Sequence, residues 1–311
     1  MDRNLALVLG GGGAAGNAWE IGVVAGLAEA GFDLTREADL MIGTSAGATS
    51  AAQLRSGVPV SDLLASALAP PPSQASSPTP AAGETRPPAL PLPEIVARMR
   101  AISEAAASAD DIARGMGEFG LAADAVIGSG AALRRATVAA RFTGDDWPDR
   151  PTMITAVDAH TGEFTVFDGT DDTGLVDAVT ASCALPGLAP THVIGGRHYI
   201  DGGVRSSENA DLAAGYDVVV ILAPLSGRPE NADPGRGFEG LRRSRAWGTE
   251  LSGQVDALRE AGSRVELVVP DASARAAMGA NMMNPAARAP AARAGYDQGR
   301  REATRFRPAC P

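Results

Sequence analysis

The sequence predicts an α/β fold: a three-layer α/β/α arrangement around a central, mainly parallel sheet. Two observations carry this. Strand candidates such as Leu5 to Leu9 are apolar at every position, the pattern of strands covered on both faces rather than on one. Strand, glycine turn and helix then recur as a unit, the rhythm of parallel strands joined by crossover helices.

The first unit runs from Leu5 to Leu9, breaks at Gly10 to Gly13, and continues over residues 14–30 as a helix closed by Gly31. The second enters through Leu40-Met41-Ile42, turns at Gly43-Thr44-Ser45-Ala46-Gly47, and continues over 48–54 until Gly57-Val58-Pro59 stops it. Residues 70–93 follow, rich in Pro, Ser, Ala and Thr and without periodicity, and are expected to form a mobile insertion. Both a tolerated surface loop and part of a lid fit that composition. Helices are predicted at 94–107 and 111–119, and strands at 152–157, 163–167, 197–200, 217–222 and 265–269, with 191–200 forming a hairpin. Residues 226–237 read as a linker and 238–261 as a long helix.

At 311 residues the chain can bury one substantial core, so a single domain over 1–311 is expected. With 45% apolar and 21% charged residues it is too apolar for general disorder. The formal net charge is −10 and every basic residue counted is Arg, so there is no basic face for nucleic acid. The same balance disfavours attraction to anionic bilayers. No apolar stretch of about 18 residues occurs, so membrane contact is expected to be peripheral. The start Met1-Asp2-Arg3 leads into a strand without the parts of an export signal, and Cys183 and Cys310 are too few for a disulfide framework. A reducing, cytoplasmic setting is the expectation.

Three segments carry chemistry. A serine hydroxyl used as a nucleophile must be exposed, placed beside a base, and served by donors for the oxyanion. Gly43-Thr44-Ser45-Ala46-Gly47 fits the G-x-S-x-G elbow, in which Gly43 and Gly47 permit a strained strand-to-helix turn that lifts Ser45 above the sheet. Gly11, Gly12 and Gly13 follow the first strand and can turn backbone N–H groups onto an anion. Tyr199-Ile200-Asp201-Gly202-Gly203 places Asp201 at a strand end, able to point into a cleft. A dinucleotide site competes for the glycines, since Gly11, Gly13 and Gly16 satisfy G-x-G-x-x-G with Asp33 at about the distance of a ribose-binding acid. That reading leaves the serine elbow unexplained. His198, three residues before Asp201, is a competing base.

In this order the segments resemble the patatin-like phospholipase family, which carries a G-G-G-x-R-G loop, a G-x-S-x-G elbow and a D-G-G motif. Thr155-Ala156-Val157-Asp158, Ala181-Ser182-Cys183-Ala184-Leu185-Pro186-Gly187 and Ala294-Gly295-Tyr296-Asp297 extend the resemblance to bacterial members. It implies that Ser45 attacks an acyl ester, that Asp201 activates it as a dyad without histidine, and that Gly11, Gly12 and Gly13 donate to the oxyanion. It also implies lipid or acyl-ester substrates and no cofactor or metal. An aspartate acting as base near neutral pH must be shielded from water. The chain departs from the pattern at Ala15, where the family carries Arg or Lys; Arg205 is a candidate to replace that charge. Acyl transfer on the same dyad, or a weakly active lipid-binding protein, are the alternatives.

Overall fold

The computed structural model describes residues 4–70, 90–226 and 247–306. Within them the strands are β1 (Leu5–Leu9), β2 (Leu40–Gly43), β3 (Thr152–Asp158), β4 (Phe164–Phe167), β5 (His192–Ile194), β6 (Arg197–Asp201), β7 (Val218–Leu222) and β8 (Arg264–Val268). The helices are α1 (Gly13–Glu29), α2 (Leu34–Glu37), α3 (Ala46–Arg55), α4 (Val60–Leu68), α5 (Leu92–Ala105), α6 (Ala109–Ile127), α7 (Ala131–Ala139), α8 (Leu175–Ser182), α9 (Leu251–Glu260), α10 (Ala272–Met278) and α11 (Arg288–Phe306).

The sheet runs β5-β6-β3-β2-β1-β7-β8, with β4 on the remaining edge of β3. From β3 through β2, β1 and β7 to β8 every pairing is parallel, whereas β4, β5 and β6 join antiparallel. The expected mainly parallel sheet is therefore present, with an antiparallel wing. Side-chain alternation along β1 shows why the strand is apolar throughout. Leu5, Leu7 and Leu9 join the core formed with α1, α3, α8 and α11, while Ala6 and Val8 join a second core on the opposite face with Val255 and Leu258 of α9.

Register places the site. Along β3, Ile154 pairs with Gly43 and Phe167, and Ala156 pairs with Asp201 and Thr165. With β4 holding one edge of β3 throughout, β6 takes up the other edge where β2 leaves it. The end of β6 thus meets the turn that follows β2.

Helix boundaries differ from the sequence reading in three places. Helix α5 begins at Leu92, because Pro91 caps it and Pro93 fits the first turn; of the 70–93 insertion, 71–89 lie outside the described residues. Helix α6 runs on to Ile127, since no breaker occurs before Gly128. The long helix predicted over 238–261 is confined to α9: 238–246 lie outside the described residues, Gly248 adopts φ +70°, and the Glu250 side chain caps Ser252 and Gly253. All but one residue of the 226–237 linker likewise lie outside. No helix among the described residues is long and apolar enough to cross a membrane.

Candidate active site

Residues of the turn after β2 are held in a conformation that few side chains tolerate. Ser45 sits at φ 55°, ψ −113°, caps the N-terminus of α3, and makes a strained elbow at the strand-to-helix junction. The flanking glycines are required by space. A Cβ on Gly47 would lie 2.0 Å from the Leu9 carbonyl oxygen, and one on Gly43 would lie 2.6 Å from Ala48 Cα. The backbone of Ser45 is pinned on both sides by α8: its N–H donates to Ser182 Oγ at 2.8 Å, and its carbonyl accepts from Cys183 Sγ at 3.1 Å.

At the end of β6, Asp201 is buried, with 3% of its surface exposed. Ser45 Oγ donates to Asp201 Oδ2 at 2.7 Å, and Gly203 N–H donates to Asp201 Oδ1 at 2.8 Å. Gly203 N–H thus holds one carboxylate oxygen, and Ser45 Oγ meets the other.

The glycine loop lies alongside. Gly11 lines the same cavity, but its N–H donates to the Ser207 carbonyl at 2.8 Å. It therefore corrects the expectation of three donors: Gly11 anchors the loop. Gly12 and Gly13 keep N–H groups without a hydrogen-bond partner among the described residues. Beneath the loop, Glu20 is fully buried and accepts from Ser50 Oγ at 2.6 Å; burial pushes its carboxyl well above the usual carboxylate range.

A cavity of about 470 Å³ opens over Ser45, Asp201 and the glycine loop. One flank is apolar, with Met99 of α5 and Ile112 and Met116 of α6. Arg134 and Arg141 of the α7 region stand on another.

Several sequence candidates fall elsewhere. Arg205 does not replace the charge missing at Ala15: it is bound to Asp211 at 2.6 Å and lies over the Phe164 ring, outside the cavity lining. Ala15 itself is fully buried, with its N–H donating to the Met282 carbonyl. His198 is not placed as a base: it lies 2.8 Å from Thr191 Oγ1 through Nδ1 and meets the His160 ring. His192 lies 2.8 Å from Asp177, and burial lowers its pKa. Asp33 caps α2 by accepting from Thr35 N–H rather than facing a nucleotide site. No group of three or more His, Cys, Asp or Glu among the described residues is arranged to hold a metal ion.

Sequence reasoning missed Asn209. It is fully buried in the left-handed conformation, and its Nδ2 donates to Thr44 Oγ1 and to the Gly202 carbonyl, tying the elbow to the Asp-Gly-Gly turn. Its only local signal is the tolerance of Asn for positive φ.

A sequence model of the family described as patatin-like phospholipase matches residues 7–214. Comparison with curated proteins gave no match. Among solved structures, the crystal structure of VipD from Legionella pneumophila is similar at a TM-score of 0.48 and 16% identity, over 98% of this chain and 67% of that one.

Proposed function

Because the chain belongs to the patatin-like phospholipase family, a family of lipid acyl hydrolases, we propose that it hydrolyses carboxylic esters of lipid or fatty-acyl substrates through Ser45 and Asp201. The observation that carries this reading is the 2.7 Å hydrogen bond from Ser45 Oγ to Asp201 Oδ2 at a strained elbow beside unpartnered glycine N–H groups. The acyl chain lies along Met99, Ile112 and Met116, where water exclusion favours methylene groups.

Asp201 accepts the hydroxyl proton as Ser45 Oγ attacks the carbonyl carbon. The oxyanion that forms is met by the N–H groups of Gly12 and Gly13, assisted by the positive end of α3. Collapse breaks the ester bond, and the alcohol leaves with the proton held by Asp201. The acyl group remains on Ser45. Water then attacks the acyl-enzyme, gives its proton to Asp201, and frees the carboxylic acid while the proton returns to Ser45.

Turnover of a p-nitrophenyl acyl ester series by the wild type, Ser45→Ala and Asp201→Asn tests this. Both variants should lose about a thousandfold or more in kcat. An active Ser45→Ala protein would remove the mechanism, and an inactive wild type would favour a lipid-binding protein that has lost turnover.

A further inference from the structure

With 37 Asp and Glu against 27 basic residues, carboxylate partners are abundant in this chain, and several arginines use them. Arg135 holds both Asp145 and Asp177, Arg197 holds Asp158, and Arg205 holds Asp211. Arg134 and Arg141 are set apart by their place in the cavity. Both line the cavity over Ser45, and neither forms an ion pair among the described residues. Arg134 donates from Nη2 to the Cys183 carbonyl, which leaves its Nε buried without a partner. Arg141 lies in the turn after α7 and keeps exposed surface; the packing around its guanidinium, and then the charges of Arg134 and Arg288, hold its pKa below the ordinary value. Like charges repel, and the buried Arg134 Nε without an acceptor costs free energy. Such an arrangement is relieved by an anion, which guanidinium groups grip with paired, charge-assisted hydrogen bonds.

Cys183 fixes where that anion would sit. Its carbonyl accepts from Arg134 while its thiol donates to the Ser45 carbonyl, so the arginine flank and the elbow share one residue. The apolar flank belongs to α5 and α6, a separate hydrophobic cluster. We propose that Arg134 and Arg141 form an anion-binding subsite that grips an acidic group, a phosphate ester or a carboxylate, carried by the acyl substrate, with its acyl chain on the α5 and α6 flank. The proposal rests on the reading of Ser45 as the site of ester hydrolysis. It also places the positive charge of this site on α7 and the turn after it instead of on the glycine loop.

Binding by the Ser45→Ala protein tests it without requiring turnover. Oleoyl lysophosphatidic acid and monooleoylglycerol, which differ by one phosphate, are compared by isothermal titration calorimetry. The acidic lipid should bind about tenfold tighter or more, and the added change Arg141→Gln should abolish that preference. Arg141→Lys should retain part of it, and Arg264→Gln, an exposed arginine on β8, should retain it in full. Equal affinity for the two lipids, or a preference that survives Arg141→Gln, would overturn the subsite. Inorganic phosphate alone binding as tightly as the acidic lipid would overturn its assignment to a substrate-borne group. If the wild type fails to hydrolyse either lipid while the preference holds, the hydrolase reading fails and the subsite stands.

Discussion

Asn209 Nδ2 lies 3.1 Å from Thr44 Oγ1, and the same nitrogen reaches Thr155 Oγ1 at 3.3 Å and the Gly202 carbonyl at 3.3 Å. Thr44 precedes Ser45 and Gly202 follows Asp201, so a single buried amide holds the two segments that must stay in register. Replacing it with Ala removes these bonds and leaves buried oxygens with fewer donors. Asn209→Ala should cost about 2–3 kcal/mol in urea unfolding. Its kcat should fall more than its KM changes, because the serine and aspartate separate. Asn209→Gly, which suits the φ of 52° but lacks the amide, should lose kcat to the same degree; recovery of kcat by Gly would assign the effect to backbone strain instead.

The elbow's dependence on glycine can be separated from ordinary glycine strain. At Gly47 a Cβ would meet the Leu9 carbonyl oxygen at 2.0 Å and its carbon at 2.3 Å, and both belong to the central strand. At Gly31, with φ +94°, a Cβ would meet nothing within 4 Å. Gly31→Ala therefore carries only the conformational cost, about 1 kcal/mol, or about 2 °C in Tm. Gly47→Ala must displace β1 or α3, and should either fail to fold or fold without ester turnover. A Gly47→Ala protein with wild-type kcat/KM would show that the elbow has slack.

What could be read from the chain is what local geometry encodes. A strand that stops in glycine and a serine between two small residues reveal the elbow, because the strain is resolved within five positions. Asp201 is visible for the same reason, at a strand end before two glycines. The support is not visible: Ser182 reaches the Ser45 N–H across 137 positions and Asn209 reaches Thr44 across 165, and no spacing rule links them. Helix α8 escaped the periodicity because it is short and buried at every position but Asp177, so one partly exposed residue alone marks its turns. Arg205 and Arg141 show the same limit for charge. Arg205 neighbours the Asp-Gly-Gly turn in sequence and is spent on Asp211, whereas Arg141 is remote in sequence and lines the cavity.

Restoring the family's basic residue in the glycine loop should not help this protein. Ala15 has no exposed surface, packs in the core that contains Trp19 and Leu7, and its backbone is tied to Met282. Ala15→Arg would force a charged side chain into that core or lift the Met282 segment. We expect a loss of about 3 kcal/mol or more in stability by thermal unfolding and no gain in turnover. A variant with raised kcat and unchanged Tm would mean that the loop can turn position 15 towards the cavity.

Glu20 makes the pH dependence of folding testable. Burial holds its carboxyl well above the usual carboxylate range, against the opposing hydrogen bond from Ser50 Oγ. In the unfolded chain the group ionises in the ordinary range near pH 4. Between that range and the folded-state pKa, the unfolded state has released its proton and the folded state has not. Stability from this residue is therefore intact below the unfolded pKa and is lost as pH rises, by up to about 1.4 kcal/mol per pH unit. Glu20→Gln has no proton to release, and its amide oxygen can still accept from Ser50 Oγ. Its stability relative to wild type should thus climb with pH when urea unfolding is compared at pH 4, 6 and 8. The exchange of an oxygen for an NH₂ beside the glycine loop adds a constant offset, so the slope of the difference is the diagnostic quantity. A difference that stays flat across that range would mean that Glu20 ionises alike in the folded and unfolded chains, and that the burial beneath the glycine loop is wetter than its geometry implies.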